Sequence, residues 1–297
     1  MAVVALALLA VGVVALVKLW PSSQGQLPQG AETKAEGGKV TIPAGIFIKG
    51  LSDDYRLMFS EICRKVADDP AQQCKEESAL QGEIPLEKPD LPAFQIDEAE
   101  VSNAQWAACV EAKACAEVQY EGCANRTVRG LVPFLRVSQA LQEPAMPAVC
   151  VTRDEAAKLC AWRGGRLPTH AEWEKAARGR DGFLFPWGPD WRPEAGNWAE
   201  QDLAKANISG KLDGHAETAP VVSMPEGRSP FGVYHMAGNA AEWVAAEPGQ
   251  EAALEGFARG GSWLSNPLDL RATGRLKVKV DERRTDVGFR CAYSPAP

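Results

Sequence analysis

The sequence predicts a turn-rich domain of mixed α/β class built from few, short elements. Three observations carry this. Its 297 residues include 27 Gly and 21 Pro, which break regular structure often without reaching low-complexity levels. Three capping-box patterns mark short helices, and the strand-like segments are brief and bounded by Gly or Pro. A hydrophobic content of 45% with 24% charged residues supports a folded core and excludes a wholly disordered chain. The formal net charge of −7, with no basic stripe, argues against nucleic acid as a partner.

From the N-terminus, Ala2 to Val17 is an uncharged Ala/Val/Leu/Gly run. Extended to Trp20, it gives about 28 Å of helix at 1.5 Å per residue, enough to span a bilayer. No basic n-region precedes it and no small-x-small site follows it, so residues 1–20 read as an uncleaved transmembrane anchor inserted through residues 2–20. Pro21 to Gly38 offers little to bury and reads as a flexible linker. The remaining span, 39–297, reads as one domain.

Val40 to Ile48 is β-branched and interrupted by Pro43-Ala44-Gly45, predicting two strand pieces with a bend. Ser52 can cap a helix to about Val66, with Tyr55, Met58, Ile62 and Val66 at helical spacing. Capping boxes then occur at Ser102 with Gln105, Thr152 with Glu155, and Thr169 with Glu172. They predict helices whose inner faces carry Trp106, Cys109 and Val110; Ala156, Leu159 and Cys160; and Trp173, Ala176 and Ala177. Gly164 and Gly179 stop the last two. Beyond Arg180 the pattern breaks up, with strand-like pieces at Phe257–Trp263 and Val287–Tyr293.

The cysteines at 63, 74, 109, 115, 123, 150, 160 and 291 are even in number and confined to the part after the anchor. They read as four disulfides in an oxidising compartment. Order along the chain pairs Cys63 with Cys74, Cys109 with Cys115, and Cys123 with Cys150. Zinc is disfavoured, since no CxxC occurs and the three histidines are scattered. Lys18 alone on the C-terminal flank of the anchor would hold that side in the cytoplasm, but the cysteines outweigh one lysine. The expected location is a bacterial inner membrane, with the domain in the periplasm or outside the cell.

The block from Cys160 to Gly179, containing Cys160-Ala161-Trp162-Arg163-Gly164-Gly165-Arg166-Leu167-Pro168-Thr169-His170-Ala171-Glu172-Trp173-Glu174, resembles the signature of the formylglycine-generating enzyme, or sulfatase-modifying factor, family. Phe185-Pro186-Trp187-Gly188, Gly238-Asn239-Ala240-Ala241-Glu242-Trp243, Arg259-Gly260-Gly261-Ser262-Trp263 and Gly288-Phe289-Arg290-Cys291 follow in the family's order, and the likeness covers about residues 39–294. It implies a C-type-lectin-like fold with little regular secondary structure, and a Cys160–Cys291 bridge.

The resemblance also locates chemistry. Active members hold copper on two cysteines after the Arg-Gly-Gly-Ser-aromatic strand, and those positions are Ser265 and Leu270 here. Neither supplies the soft thiolate that cuprous copper requires, so no copper and no oxidase activity are expected. The family's three-histidine iron branch is excluded with only His170, His215 and His235 present. Calcium is the expected cofactor. One site is implied at Asn197, Trp198, Asp213 and His215, with Trp198 and His215 giving backbone carbonyls. A second is implied at Gly238, Ala240 and Glu242, with His235 departing from the family's usual Asp or Asn.

His170 replaces the family's usual glutamate and is expected to be solvated. Trp162, Trp173, Trp187, Trp243 and Trp263 are expected to pack in the core. Arg166, Arg259, Arg271, Arg275 and Arg290 should tie loops to carboxylates or carbonyls, with Arg271 and Arg275 flanking the former catalytic groove as candidates for ligand binding. Together these features predict a membrane-anchored, non-catalytic binding or scaffold subunit whose partner is a membrane or envelope protein. The stretches 51–90 and 112–148 exceed the family's usual loops and are the expected partner surface. The alternatives are an oxidase acting on protein cysteine and a calcium-dependent carbohydrate-binding module.

Overall fold

Among the described residues the strands are two to five residues long and the α-helices nine or ten, in keeping with the chain's density of turn formers. The computed structural model describes residues 38–52, 80, 83, 85–127, 130–133, 137–199 and 213–295. The expected anchor at 2–20, nearly all of the linker, the helix from Ser52 to Val66 and the Cys63–Cys74 pair lie outside them. Among the described residues no helix is long and apolar enough to cross a membrane.

The bend at Pro43-Ala44-Gly45 separates β1 (Lys39–Ile42) from β2 (Gly45–Ile46) as expected. β2 pairs antiparallel with β3 (Asp90–Leu91), and β1 pairs antiparallel with β4 (Phe94–Asp97). The C-terminal strand β11 (Ala292–Tyr293) takes the other edge of β4, giving a three-stranded sheet with β4 in the middle. Asp97 closes this sheet onto the helical layer. It accepts a bidentate pair from Arg163 at 2.8 and 2.9 Å, the Cys291 amide at 3.0 Å and the Tyr293 hydroxyl at 3.0 Å.

All three capping boxes form. They start α1 (Asn103–Glu111), α2 (Arg153–Trp162) and α3 (His170–Arg178), each with the hydroxyl accepting the N3 amide and the N3 side chain accepting the cap amide. Gly164 and Gly179 follow the last two at φ of 76° and 68°. At Gly179 a Cβ would also meet Pro230 Cγ at 2.9 Å, so both backbone and packing select glycine there.

A hairpin of β5 (Ala124–Thr127) and β6 (Gly130–Pro133) lies outside the core sheets. The second main sheet runs β10 (Val287–Gly288), β7 (Ala241–Trp243), β8 (Glu255–Arg259), β9 (Arg275–Lys279), with only β10 and β7 parallel. β8 ends at Arg259, so Gly260 to Trp263 is loop rather than the strand expected there. The glycine pair at φ 87° and 67° cannot continue a pleated strand.

The largest core cluster packs α1 and α2 against this sheet through Trp106, Leu159, Trp243 and Phe289. Disulfides Cys109–Cys115, Cys123–Cys150 and Cys160–Cys291 join residues with Cα atoms 5.3 to 5.5 Å apart. Two expectations are corrected. Trp162 is 44% exposed, because it falls off the stripe formed by Ala156, Leu159 and Cys160. His170 is buried at 5% exposure, because α3 lies inside the molecule with nearly every residue covered.

Candidate functional site

A helix reading His-Ala-Glu-Trp-Glu-Lys-Ala-Ala-Arg is covered only because each charge meets a partner. Glu172 takes a bidentate Arg166 at 2.6 and 2.7 Å. Glu174 accepts the Gly50 amide at 2.6 Å, Arg178 at 2.8 Å and Arg259 at 2.7 Å. Lys175 donates to Gly45 O at 2.7 Å. With α3 fixed, Trp173 reaches the loops that form the candidate site.

Ser265 and Leu270 converge beside Gly261. A methyl on that glycine would lie 2.8 Å from Leu270 Cδ2 and 3.2 Å from Ser265 Oγ. Ser265 is buried and its Oγ accepts the Ser262 amide at 3.0 Å. Ser262 Oγ donates to Asp286 at 3.2 Å, and Arg284 holds Asp286 with bonds of 2.8 and 2.7 Å. Leu270 is fully buried among Phe185, Trp198 and Ala237. An aliphatic side chain and a saturated hydroxyl network therefore occupy the spot, and all six described cysteines are bridged.

Beside it the four residues expected at the first calcium site come together. Asp213 Oδ2 accepts the Trp198 amide at 3.3 Å and its Oδ1 accepts the His215 amide at 2.8 Å. Asn197 Nδ2 donates to Glu217 O at 2.8 Å and to Asn239 Oδ1 at 3.2 Å. Asn197 Oδ1 is buried with no hydrogen-bond partner, an oxygen left over where a hard cation would take one. Gly238 makes the close packing possible, since a Cβ there would fall 2.2 Å from Asn197 O. The donor set fits calcium.

The second expected site does not fit. Glu242 is fully buried, and its Oε2 accepts Trp173 Nε1 and Arg290 Nε, both at 2.7 Å, while Oε1 accepts Arg290 Nη2 at 2.6 Å. A guanidinium therefore stands where the cation was expected. The Ala240 amide donates to Glu100 at 3.1 Å, which leaves the Gly238, Ala240 and Glu242 stretch organised by protein groups. His235 sits at φ 51° with Nε2 3.1 Å from both Ser223 Oγ and Pro220 O. Burial, and then the charges of Arg290 and His215 against one favourable hydrogen bond, pull its pKa down to about 3.

Neither groove arginine is placed as expected. Arg271 is turned into the protein, where its guanidinium grips Glu83 together with Thr273 Oγ1 and also donates to Leu268 O. Arg275 is largely buried against the Phe257 ring, 3.9 Å from Glu247. Arg271 takes the loop-tying role, its guanidinium being occupied by Glu83 and Leu268 O. Sequence reasoning missed Glu100, which accepts Asn239 Nδ2 at 2.9 Å and is pushed up to about 8, first by burial and then by the charge of Glu242. It also missed Asp286. Glu100's partners Asn239 and Ala240 lie far along the chain, and Asp286, although held by the nearby Arg284, meets Ser262 only once the chain is folded.

Comparison with known proteins agrees with this architecture. The sulfatase-modifying factor enzyme 1-like domain family matches residues 24–295. Formylglycine-generating enzyme from Bos taurus is 28% identical over 87% of this chain and 75% of its own length. A protein named inactive C-alpha-formylglycine-generating enzyme 2 from Mus musculus is 36% identical over half of this chain, and the match spans about half of that relative. Among solved structures, PvdO from Pseudomonas aeruginosa superposes with a TM-score of 0.61 at 24% identity, covering 89% of this chain and all of that one. Its likeness establishes the fold alone. The chain belongs to the sulfatase-modifying factor enzyme 1-like domain family, in its mixed helix and sheet fold with little regular secondary structure.

Proposed function

We propose that this chain is a non-catalytic member of its family, serving as a binding or scaffold subunit of a membrane or envelope complex. One observation carries the reading: Ser265 and Leu270 stand where the family resemblance places the copper-binding cysteines, and Leu270 is packed into the core. A hydroxyl and an isobutyl group cannot hold cuprous copper. The anchor at residues 2–20 and the linker to residue 38 would keep the domain near the bilayer, on the periplasmic or outer side, and raise its effective concentration toward a neighbouring membrane protein. The surface for that partner is assigned to the stretches 51–90 and 112–148.

Structural calcium is part of the proposal. Asn197 and Asp213 would hold it through side-chain oxygens, and Trp198 and His215 through backbone carbonyls. The bound ion would supply fixed positive charge that draws these segments together. Asn197 transmits its position to the Gly238 loop through Asn239.

Anaerobic titration of the purified full chain with cuprous ion, followed by addition of a cysteine-containing peptide and dioxygen as the oxidant, tests the catalytic part. The expected result is no stoichiometric copper binding and no aldehyde product. Tight equimolar copper with turnover would overturn the reading. Recovery of every co-purifying protein after deletion of 51–90 would remove that stretch from the partner surface.

A further inference from the structure

Segment 137–146 and the site at Asn197 and Asp213 meet at the side chain of Glu217. Ser138 Oγ donates to Glu217 Oε2 and accepts the Leu141 amide at 3.4 Å, so it anchors the short 3-10 turn Ala140–Gln142. Gln142 Nε2 returns to Val137 O and Ser138 O, both at 3.2 Å. The turn presents Gln139, Ala140, Gln142 and Glu143 to solvent over the buried Leu141. A separate set of bonds reaches the segment from α1. Asn103 Nδ2 donates to Leu141 O and Glu143 O, and the amides of Asn103 and Ala104 donate to Met146 O and Pro144 O.

Glu217 is also held from the other side. Its carbonyl accepts Asn197 Nδ2 at 2.8 Å, and the same nitrogen donates to Asn239 Oδ1 at 3.2 Å. Asn239 Oδ1 is fixed as an acceptor by the Ala219 amide at 2.7 Å. Both partners of Asn197 Nδ2 therefore demand a donor, which sets the orientation of the carboxamide and leaves Oδ1 as its unpartnered end. A buried oxygen without a donor is costly, and turning the carboxamide to relieve it would break both Nδ2 bonds. A cation on Oδ1 removes that conflict and polarises the amide, which strengthens its bond to Glu217.

We propose that calcium at Asn197 and Asp213 sets the shape of the exposed turn at 139–143 through Glu217 and Ser138, which makes this part of the partner surface calcium-dependent. The coupling rests on the calcium proposed above. Asn197 fixes the Glu217 backbone, the Glu217 carboxylate fixes Ser138, and Ser138 fixes the Leu141 amide. The bonds from Asn103 and Ala104 use none of these groups, so residues 144–146 keep their place with or without the ion.

Amide hydrogen exchange of the full chain in calcium and in a calcium chelator, resolved to single amides by fragmentation mass spectrometry, tests the route. In the wild type, calcium should slow exchange at 213–221 and at Leu141 and Gln142 about two- to tenfold, the scale of one hydrogen bond, and leave Asn103 and Ala104 unchanged. Glu217→Ala keeps the carbonyl for Asn197 and the Ser138 hydroxyl for Leu141. It should retain the slowing at 213–221 and lose it at Leu141 and Gln142. If Glu217→Ala does not fold, Ser138→Ala serves, read at Gln142, whose amide bonds to Gln139 O. Wild-type slowing at 213–221 alone overturns the coupling and leaves calcium in place. No slowing anywhere overturns calcium binding and the coupling together. Equal slowing at Gln142 in the wild type and the variant overturns the route through Glu217 and Ser138.

Discussion

Replacing Arg290 by Met is the sharpest probe of what organises the loops at the candidate site. Arg290 is fully buried and donates to Glu242 twice, to Asp97 O at 3.2 Å and to Tyr234 O at 2.7 Å. Methionine keeps much of the volume but strands Glu242 as a buried carboxylate beside Glu100. Removing one partner of a buried ion pair costs roughly 3 to 5 kcal/mol. For a domain of this size, at about 2 to 4 °C per kcal/mol, that corresponds to roughly 6 to 20 °C in Tm. Scanning calorimetry with a parallel urea titration measures it. The double variant Arg290→Met/Glu242→Leu should regain part of the loss, because no charge is then left uncompensated. It should not regain all of it, since the carbonyls of Asp97 and Tyr234 stay without their donor. A loss below about 1 kcal/mol for the single variant would refute the reasoning, since an ordinary surface change costs as little. A carboxylate that tolerates the change would have to be protonated or hydrated.

Other expectations follow from the same geometry. A calcium chelator should lower the Tm of the wild type and leave Asn197→Ala and Asp213→Ala unchanged; an unshifted wild type would remove calcium from the first site. His170 and His235 titrate near 6.5 when unfolded but are held down to about 2 and 3 when folded, so they add stability as pH rises toward 6.5. Glu100 holds its proton up to about 8 when folded against about 4.5 when unfolded, so its contribution declines as pH rises between those values. These three groups together place maximal stability near pH 6.5, to be checked by urea unfolding from pH 4.5 to 8.5, and a steady climb through pH 8 would contradict the Glu100 assignment. Replacing both Cys160 and Cys291 by Ala opens a connection of 131 residues and should cost roughly 3 to 5 kcal/mol by calorimetry.

Local features were readable from the residues and distant ones were not. The three capping boxes depend on residues three apart, and all three formed where Ser102, Thr152 and Thr169 stand. Burial of α3 could not be read from its own charged sequence, because the groups that neutralise it, Gly50 N, Arg166 and Arg259, come from three separate segments. The same distance hid His170, whose cover comes from Phe257. Strands as short as β7 and β10 lack a period to detect, and their pairing rests on register set elsewhere. Asn197 and Asp213 were recognisable by likeness to a family, yet the orphaned oxygen that supports a cation there exists only once the backbone is folded. Glu242 was misassigned because likeness places a carboxylate without revealing which cation answers it.

The flanking of β4 by β1 on one side and β11 on the other has a mechanical corollary. Both outer strands run antiparallel to the same central one, with Thr41 and Tyr293 each opposite Gln95. They therefore point the same way and lie about 10 Å apart, at two strand spacings. Lys39 Nζ closes the gap by sitting 3.5 Å over the Tyr293 ring. Fluorophores attached at residues 38 and 294 would form a short ruler across this seam. Their energy transfer would drop as soon as either margin strand peeled away, well before the disulfide-linked interior came apart.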